Sequence, residues 1–239
     1  MSEPILSIQG ITKHFGGIRA LEQVSFDVHE GEVLGLMGPN GAGKTTLLSV
    51  IAGAHAPTAG KVAFRGQDIT GMPAHRICRL GIGRTFQIPH PFAGLTAREN
   101  LLVSSIFGRR ISREQALGEI DALLDLVRLD DKKDTRAGRM PTLVLKKLEI
   151  ARALAQKPKV LLLDEVFAGT TEAEVPRILE TVAAIRAMGI TIIIIEHVMK
   201  ILCSVVDRIV VIDKGSWIAE GQPEAIMRDP KVVEAYFGS

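Results

Sequence analysis

Cysteine is scarce in this 239-residue chain: there are two, Cys78 and Cys203, far apart in apolar or helical segments. Two cannot build a zinc site alone, and the expectation is buried, reduced thiols of a cytosolic protein, not a disulfide. A charge excess is missing as well. The net charge is +2, with no basic surplus that would make nucleic acid the main partner. Long apolar runs are absent too. Ile190 to Ile195, among the longest, is strand-sized, so no segment reads as a membrane span. The first residues lack the charged start and apolar stretch of a signal peptide. No internal repeat or low-complexity tract appears. What remains is ordinary for a globular protein, 46% hydrophobic and 23% charged, with chain enough for one large α/β domain.

Against that plain background one string stands out, Gly38-Pro39-Asn40-Gly41-Ala42-Gly43-Lys44-Thr45, which fits G-x-x-x-x-G-K-[ST] without a mismatch. Before it, Glu32 to Met37 reads as a short buried strand; after it, Thr46 to Ala52 reads as a helix. Glycines let the backbone curl so that successive N–H groups point at phosphate oxygens, and the following helix adds the positive end of its dipole. Lys44 is then expected on the β- and γ-phosphates of ATP and the Thr45 hydroxyl on Mg²⁺, with Thr46 beside it. A Gly-rich turn of no function is the bland alternative. A chance match in a chain of this length is on the order of one in a hundred, and the strand–loop–helix setting lowers it further.

The rest of the chain supplies a scaffold for that loop. Ile5–Gln9, Val24–Val28 and Lys61–Phe64 alternate apolar and polar residues, as half-buried antiparallel strands do. Val160–Leu163, Ile192–Ile195 and Ile209–Ile212 are continuous apolar runs, as in parallel strands buried on both faces. Between Pro91 and Lys157 the period changes to a helical one. It covers Arg98–Ile106, then Ser112–Val127, opened by a Ser112 cap with Gln115 three residues on, then Leu143–Ala155. Lys132–Arg136 reads as a solvated turn. The expectation is a helical subdomain over 91–157, inserted into an α/β core formed by 1–90 and 158–239.

A second string gives the first its chemistry. Val160-Leu161-Leu162-Leu163-Asp164-Glu165 is a buried strand delivering two acids at its C-terminal end, where ligands of open α/β sheets bind. Asp164 is placed to hold Mg²⁺ through water, and Glu165 to polarise an attacking water as general base.

From here the chain resembles a family, the nucleotide-binding subunits of ABC transporters, over nearly its whole length. The resemblance implies a P-loop NTPase (RecA-like) mixed sheet with an N-terminal antiparallel β layer and an inserted helical subdomain. Gln87, in Arg84-Thr85-Phe86-Gln87, looks like the residue that touches Mg²⁺ and the nucleophilic water and senses the permease. His197, after Ile195-Glu196, looks like the switch histidine that reaches the γ-phosphate. Phe15, in Lys13-His14-Phe15-Gly16, takes the aromatic place that stacks on adenine. Three further passages resemble the ATPase subunits of branched-chain amino-acid (and related amide or urea) transporters. They are Ala74–Gln87, Leu95-Thr96-Ala97-Arg98-Glu99-Asn100, and the tail from Ala219-Glu220-Gly221-Gln222-Pro223 through Asp229–Gly238.

The family's signature motif, Leu-Ser-Gly-Gly-Gln, is the exception. Its places hold Met140-Pro141-Thr142-Leu143-Val144, ahead of an intact Leu148-Glu149-Ile150-Ala151-Arg152 flank. Proline has no N–H to give, bulky Leu143 and Val144 stand where close approach is needed, and the Thr142 hydroxyl is one place out of register. Val166 and Gly169-Thr170-Thr171 also depart from the family's pattern. Elements that serve the chain's own nucleotide are kept, and those that act on a partner's are altered. The resemblance thus implies a transport ATPase paired with a different ATPase subunit, two transmembrane permease subunits and, indirectly, a periplasmic solute-binding protein. Its place would be the cytoplasmic face of the membrane. A binding-only regulatory subunit and a non-transport ABC ATPase are the alternatives.

Overall fold

The computed structural model describes residues 3–166, 174–196 and 199–237. Along the chain the strands are β1 (Leu6–Phe15), β2 (Ile18–Val28), β3 (Val33–Met37), β4 (Ala59–Phe64), β5 (Gln67–Asp68), β6 (Ile82–Arg84), β7 (Val160–Asp164), β8 (Thr191–Ile195), β9 (Arg208–Asp213) and β10 (Ser216–Gly221). The helices are α1 (Lys44–Ile51), α2 (Ala74–Leu80), α3 (Ala97–Arg109), α4 (Arg113–Leu126), α5 (Thr142–Leu154), α6 (Val175–Ala187), α7 (Met199–Val205), α8 (Pro223–Ile226) and α9 (Pro230–Phe237). The chain divides into two compact units, one formed by residues 1–77 and 191–239, the other by 78–190.

In the first unit the alternating strands make an antiparallel sheet in the order β2-β1-β4-β5. Leu6 faces Val28 on one side and Phe64 on the other, and Ile8 faces Phe26 and Val62, so β1 is buried on one face where it enters the sheet. The apolar runs behave differently. All five residues of β3 and of β8 are buried, and β3 pairs in parallel with β8 (Val33 with Ile192) and with β9 (Leu34 with Arg208). That two-sided burial is why these strands read as unbroken apolar runs. The start of β3 is fixed by long-range polar contacts. Val33 donates its N–H to Asp207, and Arg208 forks onto Glu32 (Nε to Oε1, 2.7 Å) while also reaching the Asp27 carbonyl (2.6 Å).

The second unit holds β7, all buried, paired in parallel with β6 (Ile82 with Val160), and the helices α3 to α6. Among the described residues from 91 to 157 there is no strand, only an isolated bridge between Thr96 and Arg136. The starts of α3 and α4 carry capping boxes. Glu99 N donates to Thr96 Oγ1 and Thr96 N to Glu99 Oε2; Gln115 N donates to Ser112 Oγ and Ser112 N to Gln115 Oε1. Asn100, fully buried, staples the preceding loop to α3: it accepts from Phe92 N and donates to the carbonyls of Thr96 and Phe92. Asp130–Lys132 forms a 3₁₀ turn where the charged segment begins. The two thiols are half-buried instead of buried. Cys78 Sγ bonds Gln156, and partial desolvation pushes both thiols' pKa up, which keeps them protonated and unreactive.

Candidate functional site

The phosphate loop grows out of the end of β3. Its glycines have different reasons for being there. Gly38 has φ 151°, and a Cβ at that position would lie 2.0 Å from the Ile212 carbonyl oxygen. Gly43, the N-cap of α1 at φ 102°, would push a Cβ to 2.5 Å from the Ala20 carbonyl oxygen. Gly41, at φ 79°, faces open space and is needed only for its left-handed backbone. Lys44 is 6% exposed, its ammonium donating to the carbonyls of Gly38 (2.6 Å) and Pro39 (2.9 Å). The lysine thus holds the loop in its curl, and Ala42 N closes a turn on the Pro39 carbonyl. Asn40, Gly41 and Thr45 are exposed, Pro39 and Thr46 half-buried, Ala42 buried. The first turn of α1 contains no acid and no side-chain cap, so its N–H groups and dipole end are offset by nothing in their own helix.

Phe15 ends β1 with its ring 41% exposed, edge-on to His55 (5.2 Å between centroids) and under the Lys13 ammonium at 4.8 Å. Lys13 is anchored by donating to the Ala56 carbonyl. An exposed ring held this way is preorganised to stack.

The second unit carries the acids. β7 delivers Asp164, fully buried, and then Glu165, 8% exposed. Thr85 is woven into this strand end: its N–H donates to the Leu162 carbonyl and its hydroxyl accepts from Asp164 N. Arg84 Nη2 lies 3.1 Å from Asp164 Oδ2. Gln87 Nε2 donates to Glu165 Oε2 at 2.6 Å, and buried Lys146 donates to the Glu165 carbonyl. Glu165 sits at φ 51°, a left-handed backbone that costs a non-glycine residue about 1–3 kcal/mol. Among the described residues no three His, Cys, Asp or Glu gather as a metal cage. Mg²⁺ needs no such cage, since it takes one or two protein oxygens and fills the rest of its shell with phosphate and water. The oxygens expected to serve it, the Thr45 hydroxyl in the first unit and the Gln87 amide and buried Asp164 carboxylate in the second, are each of the hard type this ion takes.

The altered signature lies at the start of α5. Pro141 is the N-cap, Thr142 and Leu143 open the helix, and no side chain caps it. Met140 is buried, Thr142 exposed, Leu143 and Val144 half-buried. Leu143 lines a small apolar cavity of about 50 Å³ with Val127, Ile150, Val166 and Ile178, so its side chain turns back into its own unit. The substitution leaves N–H groups at Thr142, Leu143 and Val144 in the first helical turn, and removes the serine hydroxyl. His197 and Gly169-Thr170-Thr171 lie outside the described residues.

Two features were not foreseen from the sequence. Arg84 carries no role in the Arg84-Thr85-Phe86-Gln87 string as a sequence, yet it is a cation beside Asp164. The loop after Gln87 is pinned to α5: Glu149 Oε1 accepts from His90 N (3.0 Å) and from Arg152 Nη1 (2.6 Å), and Arg152 also donates to the His90 carbonyl. The only sequence signal for that pin is the three-residue spacing of Glu149 and Arg152 on one helix face.

Comparison with known proteins agrees with this geometry. The family profile described as ABC transporter matches residues 21–168, and that described as branched-chain amino acid ATP-binding cassette transporter matches 218–239. The chain is 39% identical to a probable branched-chain amino acid transport ATP-binding protein, LivG, of Archaeoglobus fulgidus, covering 98% of this chain and 96% of that one. It is 38% identical to the high-affinity branched-chain amino acid transport ATP-binding protein BraF of Pseudomonas aeruginosa, over 100% and 99%. Among solved structures, the ADP conformation of MJ1267, an ATP-binding cassette of an ABC transporter, superposes with a TM-score of 0.89 at 35% identity over both full chains. The phosphate loop, the paired acids at the end of β7 and these full-length similarities lead to one conclusion: the chain belongs to the ATP-binding subunits of ABC transporters, ATPases coupled to transport.

Proposed function

We propose that this chain binds Mg·ATP and hydrolyses it to energise uptake of branched-chain amino acids or related small polar solutes. It would act from the cytoplasmic face of the membrane with two permease subunits, a solute-binding protein and a second, different ATPase subunit. The tail match at 218–239 supports the solute class. The phosphate loop would take the triphosphate on its N–H groups, with Lys44 on the β- and γ-phosphates, Thr45 and Asp164 toward the metal, and Phe15 against the base. Mg²⁺, held by Thr45 and Asp164, would supply neutralisation of the phosphate charge. Gln87 would orient the water and Glu165 take its proton; His197 would steady the γ-phosphate.

The observation that carries hydrolysis, as opposed to binding alone, is the 2.6 Å contact from Gln87 to Glu165, which puts the water-handling pair together next to Asp164 in sequence. The binding-only reading rests on Pro141, which stands in the place of the signature serine. One experiment separates them. Phosphate release is measured from the chain with its partner subunit and permease, alongside Glu165→Gln. Retained ATP binding with turnover lowered by ~10²–10⁴ assigns the base. Turnover equal to that of the unaltered chain removes Glu165 from the chemistry, and no turnover in either leaves the binding-only subunit.

A further inference from the structure

The C-terminal helix reaches the phosphate loop through a hydrogen bond. Gly38 follows the last residue of β3, where strand pairing has ended, and it is buried. Its N–H donates to the Tyr236 hydroxyl at 2.9 Å. Its carbonyl accepts from Lys44, and its Cα faces the Ile212 carbonyl with no room for a side chain. Gly38 is therefore fixed on three sides, and one of the three is a residue some two hundred positions later. Beside this contact lies an open cleft of about 690 Å³, walled by Pro39 and Asn40, by Lys214 of the β9–β10 turn, and by Lys231 and Glu234 of α9. The cleft runs along one side of the loop, and beside it the Tyr236 hydroxyl ties α9 to Gly38. Lys231 N caps onto Asp229, and Val232 is buried, which seats α9 independently of the tyrosine. Burial also raises the phenol's pKa and keeps it a neutral hydroxyl.

We propose that Tyr236 is a positioning residue for nucleotide binding: by accepting the Gly38 N–H it fixes the first residue of the phosphate loop, and with it the Lys44 ammonium that Gly38 holds. This rests on the reading that the loop binds ATP. Losing the hydroxyl leaves a buried N–H unpaired, a cost that the loop meets by moving. The group lies outside the pair that handles water, so affinity and turnover respond differently.

The test uses Tyr236→Phe, with Val233→Ala, an exposed position on the same helix, as control. Affinity is read with a fluorescent ATP analogue, turnover at saturating ATP in the assembled transporter. The expected result is affinity weakened about three- to tenfold in Tyr236→Phe, with maximal turnover within about twofold of the unaltered chain and Val233→Ala normal on both counts. A second measurement needs no substitution. The chain has a single tyrosine, so incorporated 3-fluorotyrosine gives one ¹⁹F resonance, and it must shift as Mg·ATP saturates. Equal affinity in Tyr236→Phe, a loss shared by Val233→Ala, or a resonance unmoved by ATP overturns the proposal. If the unaltered chain binds no analogue, the nucleotide reading beneath it fails instead.

Discussion

At the scale of single residues, the three glycines of the phosphate loop look alike in sequence and differ in what surrounds them. Gly41→Ala puts a methyl into open space and incurs only the left-handed backbone penalty, about 1–2 kcal/mol. Gly38→Ala and Gly43→Ala drive theirs into the carbonyl oxygens of Ile212 and Ala20, so the backbone itself must move. Misplacing a binding loop by about 1 Å costs on the order of 10²-fold. ATP affinity is therefore expected to collapse in Gly38→Ala and Gly43→Ala, while Gly41→Ala keeps most of it. Binding measured on all three, beside their melting curves, decides this; three equal losses would mean that phosphate contact, not the loop's own packing, demands each glycine. The sequence motif fixes glycine at Gly38 and Gly43 and leaves the place of Gly41 open. It carries no trace of the distant carbonyls that give two of them their reason.

Among elements, the helical stretch announces itself locally, while what fastens it lies far off in sequence. Ser112 with Gln115, at the spacing of a capping box, gave the start of α4, and both bonds are formed. A local signal is legible because both partners sit within one turn. The strands β1, β2 and β4 were recognisable from alternation, and β7, β8 and β9 from continuous burial. β6 and β10 were not, since three residues with a glycine, or a strand led by Ser216 and Trp217, carry little periodicity. Contacts between distant segments, such as Glu149 with His90 N or Tyr236 with Gly38 N, have no spacing rule to reveal them. Glu119 joins three elements in the same hidden way, accepting from Arg109 of α3 (2.5 Å) and from Lys157 after α5 (2.6 Å). The Arg109 guanidinium, chiefly, holds its pKa below the ordinary carboxylate value. A depressed folded pKa means stability that is present above the unfolded value and is lost as pH falls through the folded one. Glu119→Gln should therefore unfold at lower urea than the unaltered chain at neutral pH, by a modest amount because the carboxylate is a third exposed. The gap closes in acid, below the region near ~4.3 where free glutamate titrates. A gap of the same size at both pH values would show that shape, not charge, joins these helices.

For the whole molecule, the division between kept and altered motifs predicts unequal partners. A homodimer of this chain would offer each nucleotide the Pro141-Thr142-Leu143-Val144 turn of its twin, which lacks the serine hydroxyl. Paired with an ATPase subunit whose signature is intact, one site is completed and the reciprocal one stays weak. Turnover of the assembled transporter should then fall far more on mutating Glu165 here than on mutating the partner's equivalent glutamate, with each measured separately. Equal losses would make the two sites equivalent and the altered turn competent through its N–H groups alone. The inward turn of Leu143 into its own small cavity is the feature that would allow that outcome. The way the phosphate loop is enclosed also bears on how the protein is made. The motif itself is finished early in synthesis, at Thr45. Its strand, β3, has both neighbours in β8 and β9, and the loop is walled by Ile212, tied by Gly215 N to Ala42, and fixed by Tyr236. A chain still growing on the ribosome thus carries the complete nucleotide motif with no cradle to shape it. The contacts that shape the loop come from segments made long after the motif itself, so a chain halted soon after Thr45 holds the motif without β8, β9 or the Tyr236 hydroxyl around it.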